Sequence, residues 1–235
     1  MSIAVIDYGS GNLRSAAKAL ERVAPDGVNV HITQSPADLK RASHIVLPGV
    51  GAYGDSMRGL AAIPGMLAAL HEEVQVKQKP FLGICVGMQL LFERGFEHGM
   101  HDGLGWLKGE VVPLKPSPLE GEGWVGGSLG SNRTSFTPPP SLPPQGGEEI
   151  LKIPHMGWNE LTVSAHPLLA GIQTGAHAYF VHSYHAAGSP DVIASCNYGQ
   201  TITAVVAKGN IMGTQFHPEK SQETGLRLLA NFVRF

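Results

Sequence analysis

Short apolar runs alternate with segments of helical periodicity through the first half of the chain, and this alternation limits the fold more than any other feature. The run Ile3–Tyr8 stops at Gly9–Asn12, as a buried parallel strand does before a turn. Apolar residues then recur at helical spacing from Leu13 to Val23, before Pro25. The same patterns predict strands at Val28–Thr33, His44–Leu47 and Phe81–Ile84 and helices at Ile63–Gln78 and Met88–Arg94. Such alternation favours a mostly parallel sheet with helices on both faces.

The second half contains closely spaced strand patterns with turns between them. Strands are predicted at Val111–Val112, Glu160–Val163, Ala178–His182, Val192–Cys196, Thr201–Lys208 and Ile211–Gln215, and a final helix at Glu223–Phe235. Closely spaced strands pair antiparallel, which makes an otherwise parallel sheet a mixed one. The length of 235 residues suits one large domain. We therefore predict an α/β fold: a single domain, residues 1–235, with a mixed, mostly parallel central sheet flanked by helices.

One segment, residues 116–149, interrupts this pattern. Of its 34 residues, 7 are Pro, 7 are Gly and 5 are Ser, and such a composition cannot bury enough apolar surface to offset its chain entropy. A structureless stretch longer than about 15 residues inside a compact domain is either functional or disordered. Because lengthening a loop costs little free energy, we expect a tolerated, disordered insertion rather than a binding loop.

Composition excludes several classes of function. The 17 Lys and Arg residues against 19 Asp and Glu residues give a net charge of −2, which leaves no electrostatic footprint for nucleic acid or an anionic membrane. No apolar run approaches the roughly 18 residues of a membrane span, and the N-terminus lacks the basic start of a signal peptide. Two cysteines, Cys85 and Cys196, are too few to staple a domain of this size, so we expect a reduced, cytoplasmic protein.

A Gly-x-Cys-x-Gly pattern at residues 83–87 is the first candidate for chemistry. It lies where the predicted strand Phe81–Ile84 turns into a helix, which is the arrangement of a nucleophile elbow with Cys in place of Ser. The glycines allow strand and helix to approach closely, and the helix N-terminus favours the thiolate of Cys85. The backbone N–H of Val86 is then free to donate to an oxyanion. Taken alone, the pattern fits a buried structural cysteine equally well.

The tripeptide His217-Pro218-Glu219 offers the base that a cysteine nucleophile needs. A residue before proline prefers extended geometry, and alternate residues of an extended segment point the same way. We therefore expect His217 and Glu219 to face one site, with Glu219 fixing the imidazole tautomer. An isolated His-Pro-Glu is more often an ordinary turn, but the cysteine elbow favours the catalytic interpretation.

A second glycine-rich turn, Pro48–Gly51, follows a predicted strand. Its two glycines allow backbone N–H groups to approach a substrate, so Val50 and Gly51 are candidates for an oxyanion site; a plain strand-end turn is the alternative. Gln89, one helical turn after Cys85, is placed to reach the polar end of a substrate, or is simply a residue of the helix surface.

Two further patterns do not support a cofactor. Gly9-Ser10-Gly11 has Arg14 where a dinucleotide-binding loop needs its third glycine. The cluster of His177, His182 and His185 lacks a cysteine or carboxylate at a spacing that completes a ligand set. We therefore expect neither a metal ion nor another cofactor.

Taken together and in order, these motifs resemble those of the class I (triad) glutamine amidotransferases. The general family pattern matches at Gly83–Gln89 and His217–Glu219. Within the family the chain is similar to the glutaminase subunits of imidazole glycerol phosphate synthases, through motifs at Asp7–Ser15, Pro48–Gly54, Pro154–Asn159, Tyr179–Tyr184 and Gln215–Ser221. The resemblance covers essentially the whole chain except residues 116–149, and it implies a flavodoxin-like amidotransferase domain.

The resemblance also implies a reaction. Cys85 would attack the side-chain amide of L-glutamine, and His217, oriented by Glu219, would protonate the leaving ammonia and then activate the water that hydrolyses the glutamyl thioester. The ammonia would pass to a (β/α)₈-barrel cyclase subunit, the partner in a heterodimer, which forms imidazole glycerol phosphate and AICAR in histidine biosynthesis.

Supporting residues follow from the same resemblance. It assigns the oxyanion to backbone N–H groups at Val50, Gly51 and Val86, the ends of the substrate to Gln89, Ser183 and Tyr184, and the subunit junction to Trp158, Tyr179 and Lys220.

Three alternatives remain open. The glutaminase of another amidotransferase shares the triad but not the motif Pro154–Asn159. A cysteine peptidase or chaperone of the related elbow-bearing fold lacks the C-terminal His-Pro-Glu. A non-enzymatic scaffold on an inactive glutaminase fold is disfavoured by the intact Cys85, His217 and Glu219.

Overall fold

The computed structural model describes residues 1–115 and 152–235; the insertion predicted at 116–149 lies outside them. The described residues form strands β1 (Ser2–Ile6), β2 (Asn29–Thr33), β3 (His44–Gly49), β4 (Phe81–Cys85), β5 (Arg94–Gly95), β6 (His101–Asp102), β7 (Glu110–Pro113), β8 (His155–Glu160), β9 (Thr162–Val163), β10 (His177–His182), β11 (Tyr184–Ala187), β12 (Val192–Asn197), β13 (Thr201–Lys208) and β14 (Ile211–Thr214). Their α-helices are α1 (Leu13–Val23), α2 (Pro36–Arg41), α3 (Tyr53–Ala62), α4 (Met66–Leu70), α5 (Val86–Gln89) and α6 (Gln222–Phe232).

The central sheet has eight strands in the order β2-β1-β3-β4-β14-β13-β12-β9. The first five strands pair parallel, and the last three are joined by antiparallel pairs. Every residue of β3 and β4 is buried, which explains why their sequences are continuous apolar runs rather than alternating ones. The predicted mixed, mostly parallel sheet is confirmed.

Helices flank this sheet in two groups. α1 contacts α6, whereas α2 and α3 both contact α4. The predicted periodicity of α1 is seen in its buried face, which contains Ala16, Ala17 and Leu20. Within residues 1–115 and 152–235, no helix combines the length and apolar character that crossing a membrane requires.

Two smaller sheets lie beside the carboxyl ends of the central strands. β8 pairs antiparallel with β10, and a four-stranded sheet has the order β11-β7-β5-β6. β10 ends at His182 and β11 begins at Tyr184, so Ser183 is the single residue between the two small sheets. This junction forms one wall of the site described below.

The helix predicted over Ile63–Gln78 is divided. Gly65 has φ +78° immediately before α4, so the helix begins at Met66 rather than at Ile63. Beyond α4 the chain continues as a π-helical turn, His71–Val76. There Glu73 is buried, and its two carboxylate oxygens each lie 2.8 Å from a lysine Nζ. The wider turn places this carboxylate where an α-helix of uniform pitch would not.

The helix predicted at Met88–Arg94 was wrong in its bounds, because α5 ends at Gln89. Carbonyl oxygens of Leu90, Leu91 and Phe92 accept hydrogen bonds from backbone N–H groups of residues 104–107, so they are not used to extend the helix. Helices α2 and α3 and strands β5, β6 and β11 were not predicted, and the strand predicted at Glu160–Val163 is divided between the end of β8 and β9.

Candidate active site

A strained turn at Cys85 joins β4 to α5. Its backbone has φ 54° and ψ −113°, a conformation that residues other than glycine rarely adopt and that recurs at functional sites. A Cβ at Gly87 would lie 1.8 Å from the carbonyl oxygen of Leu47, and one at Gly83 would lie 2.4 Å from the carbonyl oxygen of Gly87. Only glycine fits at either position, so the predicted strand-to-helix turn is present and exists because of these two residues.

The parallel pairing of β14 with β4 brings the histidine to the cysteine. Thr214 lies opposite Ile84 in this pair, so the segments that follow the two strands leave the sheet side by side. Cys85 and His217 accordingly line the same cavity. The carboxyl ends of neighbouring parallel strands are where α/β folds place their ligands.

His217 and Glu219 form a buried pair. His217 Nδ1 lies 2.9 Å from Glu219 Oε1, and the side chains are 3% and 2% exposed. His217 is extended as predicted, but Pro218–Lys220 forms a 3₁₀ turn. The 3₁₀ turn therefore brings the Glu219 carboxylate back to the His217 ring. The predicted contact between the two side chains is present, but the reason given for it, alternation along an extended segment, was wrong.

The protonation of His217 is set by its two neighbours. Burial disfavours the imidazolium, but the Cys85 sulfur and the Glu219 carboxylate outweigh burial and raise the pKa of His217 to about 10. Nε2 has no hydrogen-bond partner among the described residues. The ring is thus held through Nδ1 with a proton available on Nε2, the nitrogen that a substrate in the cavity can meet.

The cavity beside Cys85 has a volume of about 190 Å³. All six residues predicted for the oxyanion and for substrate binding line it: Val50, Gly51, Val86, Gln89, Ser183 and Tyr184. Glu97, Val181 and His182 also line it and were not predicted to touch a substrate. Among residues 1–115 and 152–235, no three His, Cys, Asp or Glu side chains are placed to hold a metal ion.

Ser10 contacts the peptide units on both sides of Val50. The Val50 N–H donates to Ser10 Oγ at 3.4 Å, and the hydroxyl of Ser10 donates to the Val50 carbonyl oxygen. Gly51 follows with φ +92°. The N–H of Val86 is the first of α5, where a helix leaves its amides without intrahelical partners. Of the predicted oxyanion donors, Val86 is available by position, whereas the Val50 N–H is already used.

Two glutamine side chains connect the cavity wall to Cys85. Gln89 Nε2 donates to the Tyr184 carbonyl oxygen at 2.9 Å and to Gln215 Oε1 at 3.1 Å. Gln215 Nε2 in turn donates to Cys85 Sγ at 3.7 Å. Both hydrogens of the Gln89 amide nitrogen are therefore used within the protein, so Gln89 holds the wall of the cavity in place. Gln215, whose side chain is completely buried, had no predicted role.

A comparison with protein families decides the identity. The family model "Glutamine amidotransferase class-I" matches residues 4–234. The chain belongs to the class I glutamine amidotransferase family. This amidotransferase is 48% identical over 242 aligned residues to the imidazole glycerol phosphate synthase subunit HisH of Rhodospirillum rubrum, covering 100% of this chain and 99% of the relative. It is 49% identical over 244 residues to the subunit of the same name from Agrobacterium fabrum, with the same coverage.

Two solved structures of other proteins share the fold of this amidotransferase. A glutamine amidotransferase structure aligns with a TM-score of 0.66 at 15% identity, covering 99% of each chain. The glutaminase domain of CTPS from Trypanosoma brucei aligns with a TM-score of 0.57 at 12% identity, covering 100% of this chain and 94% of that one.

Glu97 is the carboxylate of the amidotransferase cavity that sequence reasoning missed. Its Oε2 accepts the backbone N–H of Tyr53 at 2.7 Å, which fixes the side chain at the cavity wall. Glu97 lies in the turn between β5 and β6, where an acidic residue looks like an ordinary solvated side chain. A carboxylate at this place can pair with the ammonium group of an amino acid.

The three residues predicted for a subunit junction lie together on the surface. The Trp158 and Tyr179 rings are 5.8 Å apart and edge-on, and Lys220 Nζ lies 5.8 Å from the centre of the Tyr179 ring. Trp158 is 47% exposed and Met156, on the same strand, is 61% exposed. This junction patch (Met156, Trp158, Tyr179 and Lys220) exposes large apolar side chains next to a cation, as interaction sites do.

Proposed function

We propose that this amidotransferase is the glutaminase subunit of an imidazole glycerol phosphate synthase. It hydrolyses L-glutamine to glutamate and ammonia and delivers the ammonia to a (β/α)₈-barrel cyclase subunit, which forms imidazole glycerol phosphate and AICAR. The observation that carries the proposal is the shared cavity of Cys85 and the buried His217–Glu219 pair. Full-length similarity to HisH subunits supports this branch of the family over other amidotransferases.

The site residues divide the chemistry between them. Cys85 Sγ attacks the side-chain carbonyl carbon of glutamine, and the resulting oxyanion accepts a hydrogen bond from the Val86 N–H. His217 passes its Nε2 proton to the departing nitrogen, which leaves as ammonia, and a glutamyl thioester remains. His217 then takes a proton from water, and the hydroxide oxygen attacks the thioester carbonyl. The carbon–sulfur bond breaks as this intermediate collapses, which releases glutamate and returns the sulfur to Cys85. Glu219 stays bound to Nδ1 and keeps the tautomer unchanged in both steps.

The high pKa of His217 supports this assignment. Because the Cys85 and Glu219 interactions raise it to about 10, the ring holds a proton at neutral pH and is ready to act as the acid of the first step.

The cavity supports a small, zwitterionic substrate. Its volume of about 190 Å³ is below the roughly 300–1,000 Å³ of typical ligand pockets, which disfavours a peptide. Glu97 is proposed to pair with the α-ammonium group of glutamine. Ser183 and Tyr184, at the junction of the two small sheets, are proposed to bind the α-carboxylate and the substrate backbone, with Gln89 holding the Tyr184 carbonyl in place.

The Ser10–Val50 contact supports low activity in the free subunit. We propose that the Val50 N–H joins Val86 as the second oxyanion donor only after it leaves Ser10, and that binding of the cyclase subunit with its ligand promotes this change. The junction patch is the proposed surface for that subunit. The proposed compartment is the cytoplasm, and both cysteines are free thiols. We further propose that residues 1–235 form one domain, with 116–149 as an insertion.

Matched cysteine substitutions test the proposal. Cys85→Ala should abolish glutamine hydrolysis in the complex while synthesis driven by added ammonium salt persists. Cys196→Ala is the control, because Cys196 is also buried but burial raises the pKa of its thiol to about 12, which keeps it protonated and inert. Glutamine turnover near the wild-type value in Cys85→Ala would contradict the nucleophile. Wild-type hydrolysis that supports no imidazole glycerol phosphate synthesis would instead indicate another amidotransferase.

A further inference from the structure

Two buried histidines face each other across the small sheet formed by β8 and β10. His155 lies opposite His182 in the strand register, and the two side chains are hydrogen-bonded, with His155 Nδ1 3.0 Å from His182 Nε2. The residues are only 2% and 6% exposed. Neither takes part in the chemistry proposed above, and a buried polar pair of this kind is costly unless every atom has a partner.

The remaining ring nitrogens are partnered at both ends of the pair. His182 Nδ1 lies 3.0 Å from the Tyr184 carbonyl oxygen, and His155 Nε2 lies 3.2 Å from Asn159 Nδ2. Asn159 Nδ2 also donates to the Asn197 carbonyl oxygen at 2.9 Å. The four ring nitrogens of the pair are thus all engaged.

The hydrogen-bond partners of the two rings determine which ring nitrogens carry a hydrogen. The Tyr184 carbonyl only accepts, so His182 carries its hydrogen on Nδ1 and offers Nε2 as an acceptor. His155 must then donate from Nδ1, and its Nε2 accepts from the amide of Asn159. This arrangement needs both rings neutral. Burial favours that state, since it is the main cause that lowers the pKa of His155 to about 4 and of His182 to about 3.

The chain of hydrogen bonds ends at the substrate cavity. The Tyr184 carbonyl oxygen accepts from His182 on one side and from Gln89 on the other. Both of its lone pairs are used, so the Tyr184 peptide is fixed in orientation. Tyr184 and Gln89 line the cavity beside Cys85, and Gln89 continues through Gln215 to the sulfur.

We propose that His182, oriented by His155, is a positioning residue for glutamine binding, because it fixes the Tyr184 carbonyl and thereby the wall of the cavity formed by Tyr184 and Gln89. This rests on the proposed glutaminase function. Apolar side chains at positions 155 and 182 would satisfy packing, but they would leave the Tyr184 carbonyl with Gln89 as its one side-chain donor among the described residues.

Two substitutions of His182, by leucine and by asparagine, distinguish a role in positioning the Tyr184 carbonyl from a role in packing. His182→Leu keeps an apolar side chain but removes the donor to Tyr184, whereas His182→Asn places an amide N–H near the original Nδ1. His185→Leu is the matched control, because His185 is equally buried at 6% exposure and its Nδ1 has no hydrogen-bond partner among the described residues. All variants are assayed in the complex with the cyclase subunit.

The expected effect falls on KM for glutamine. Loss of one buried hydrogen bond that orders the substrate wall raises KM about tenfold in His182→Leu, with kcat changed less than about threefold. His182→Asn restores KM to within about threefold of wild type, and His185→Leu leaves it unchanged. A purely structural role would instead reduce the folded fraction, which lowers apparent kcat and leaves KM alone.

Specific outcomes overturn the inference. They are an unchanged KM in His182→Leu, an asparagine variant no better than leucine, or an equal rise of KM in His185→Leu. His155→Leu is the second variant should His182→Leu fail to fold, and it is expected to raise KM in the same direction; no rise there counts against the inference. Absence of glutamine hydrolysis in the wild-type complex contradicts the proposed function itself, whereas normal wild-type hydrolysis with these unchanged KM values contradicts only the role of His182.

Discussion

Replacing Ser10 by alanine is expected to raise the glutaminase activity of the free subunit. Ser10 donates to the Val50 carbonyl oxygen and accepts the Val50 N–H at 3.4 Å. While these contacts persist, that N–H points at the serine and cannot stabilise an oxyanion formed at Cys85. Ser10→Ala removes both contacts at once, so the Gly49–Val50 peptide, which carries this N–H, is free to rotate towards the cavity.

The size of the effect follows from the quality of these contacts. A protein hydrogen bond contributes about 0.5–1.5 kcal/mol net, but N–H···O bonds are usually 2.7–3.2 Å long, so the 3.4 Å contact from Val50 is a weak one. Ser10 is also only half-buried, so water replaces part of what is lost. A net change of about 1 kcal/mol corresponds to roughly a fivefold shift in population. Basal kcat is limited by the fraction of molecules whose Val50 N–H points into the cavity, so it should rise by the same factor.

The assay is glutamate release, measured with and without the liganded cyclase subunit. Ser10→Ala should raise basal turnover and leave the activated rate unchanged, so the stimulation ratio falls by about fivefold. Ser10→Thr keeps the hydroxyl and serves as the control with a near-normal ratio. Basal turnover that is unchanged or lower in Ser10→Ala, or raised equally in Ser10→Thr, would refute the idea that Ser10 restrains Val50.

Three further predictions concern the stability of the fold. Glu73→Gln should lower the free energy of unfolding in urea by about 2–4 kcal/mol, because two lysines lose their buried carboxylate, whereas Glu72→Gln, 50% exposed, should change it by less than about 0.5 kcal/mol. Gly87→Ala should cost about 3 kcal/mol or more and abolish hydrolysis, since its Cβ would lie 1.8 Å from the Leu47 carbonyl oxygen; a normally melting, active variant contradicts this. The raised pKa of His217, about 10 against an ordinary 6.5, stabilises the fold fully below pH 6.5. The difference in unfolding free energy between wild type and His217→Gln should therefore shrink as pH rises from 6.5 to 10, and a constant difference would argue against a charged ring.

The sequence predicted those parts of the molecule that depend on local pattern. The strands β3 and β4 are buried on both faces and read as apolar runs, and the glycines around Cys85 mark the elbow because no side chain fits there. The short helix α2 was missed because its six residues carry too few apolar positions to show a period.

The rest of the site depends on register and packing, which a single sequence does not display. His155 and His182 are 27 residues apart, and only the pairing of β8 with β10 places them face to face. Gln215 precedes His217 by two residues, yet its bond to Cys85 depends on Gln89, which fixes the orientation of its amide. Glu97 enters the cavity from a turn whose sequence carries no motif.

The site combines two kinds of support that differ in strength. Cys85 and its proposed base His217 follow the ends of the parallel strands β4 and β14. Displacing Cys85 would deform a turn in which a Cβ at Gly83 or Gly87 would clash with the backbone. The proposed oxyanion donor at Val50 and the proposed substrate wall at Tyr184 are instead held by individual hydrogen bonds, each contributing about 1 kcal/mol. A binding partner supplies enough free energy to change contacts of that size but not to remodel the sheet. We therefore expect a binding partner to act on Val50 and Tyr184 and to leave Cys85, His217 and Glu219 in place.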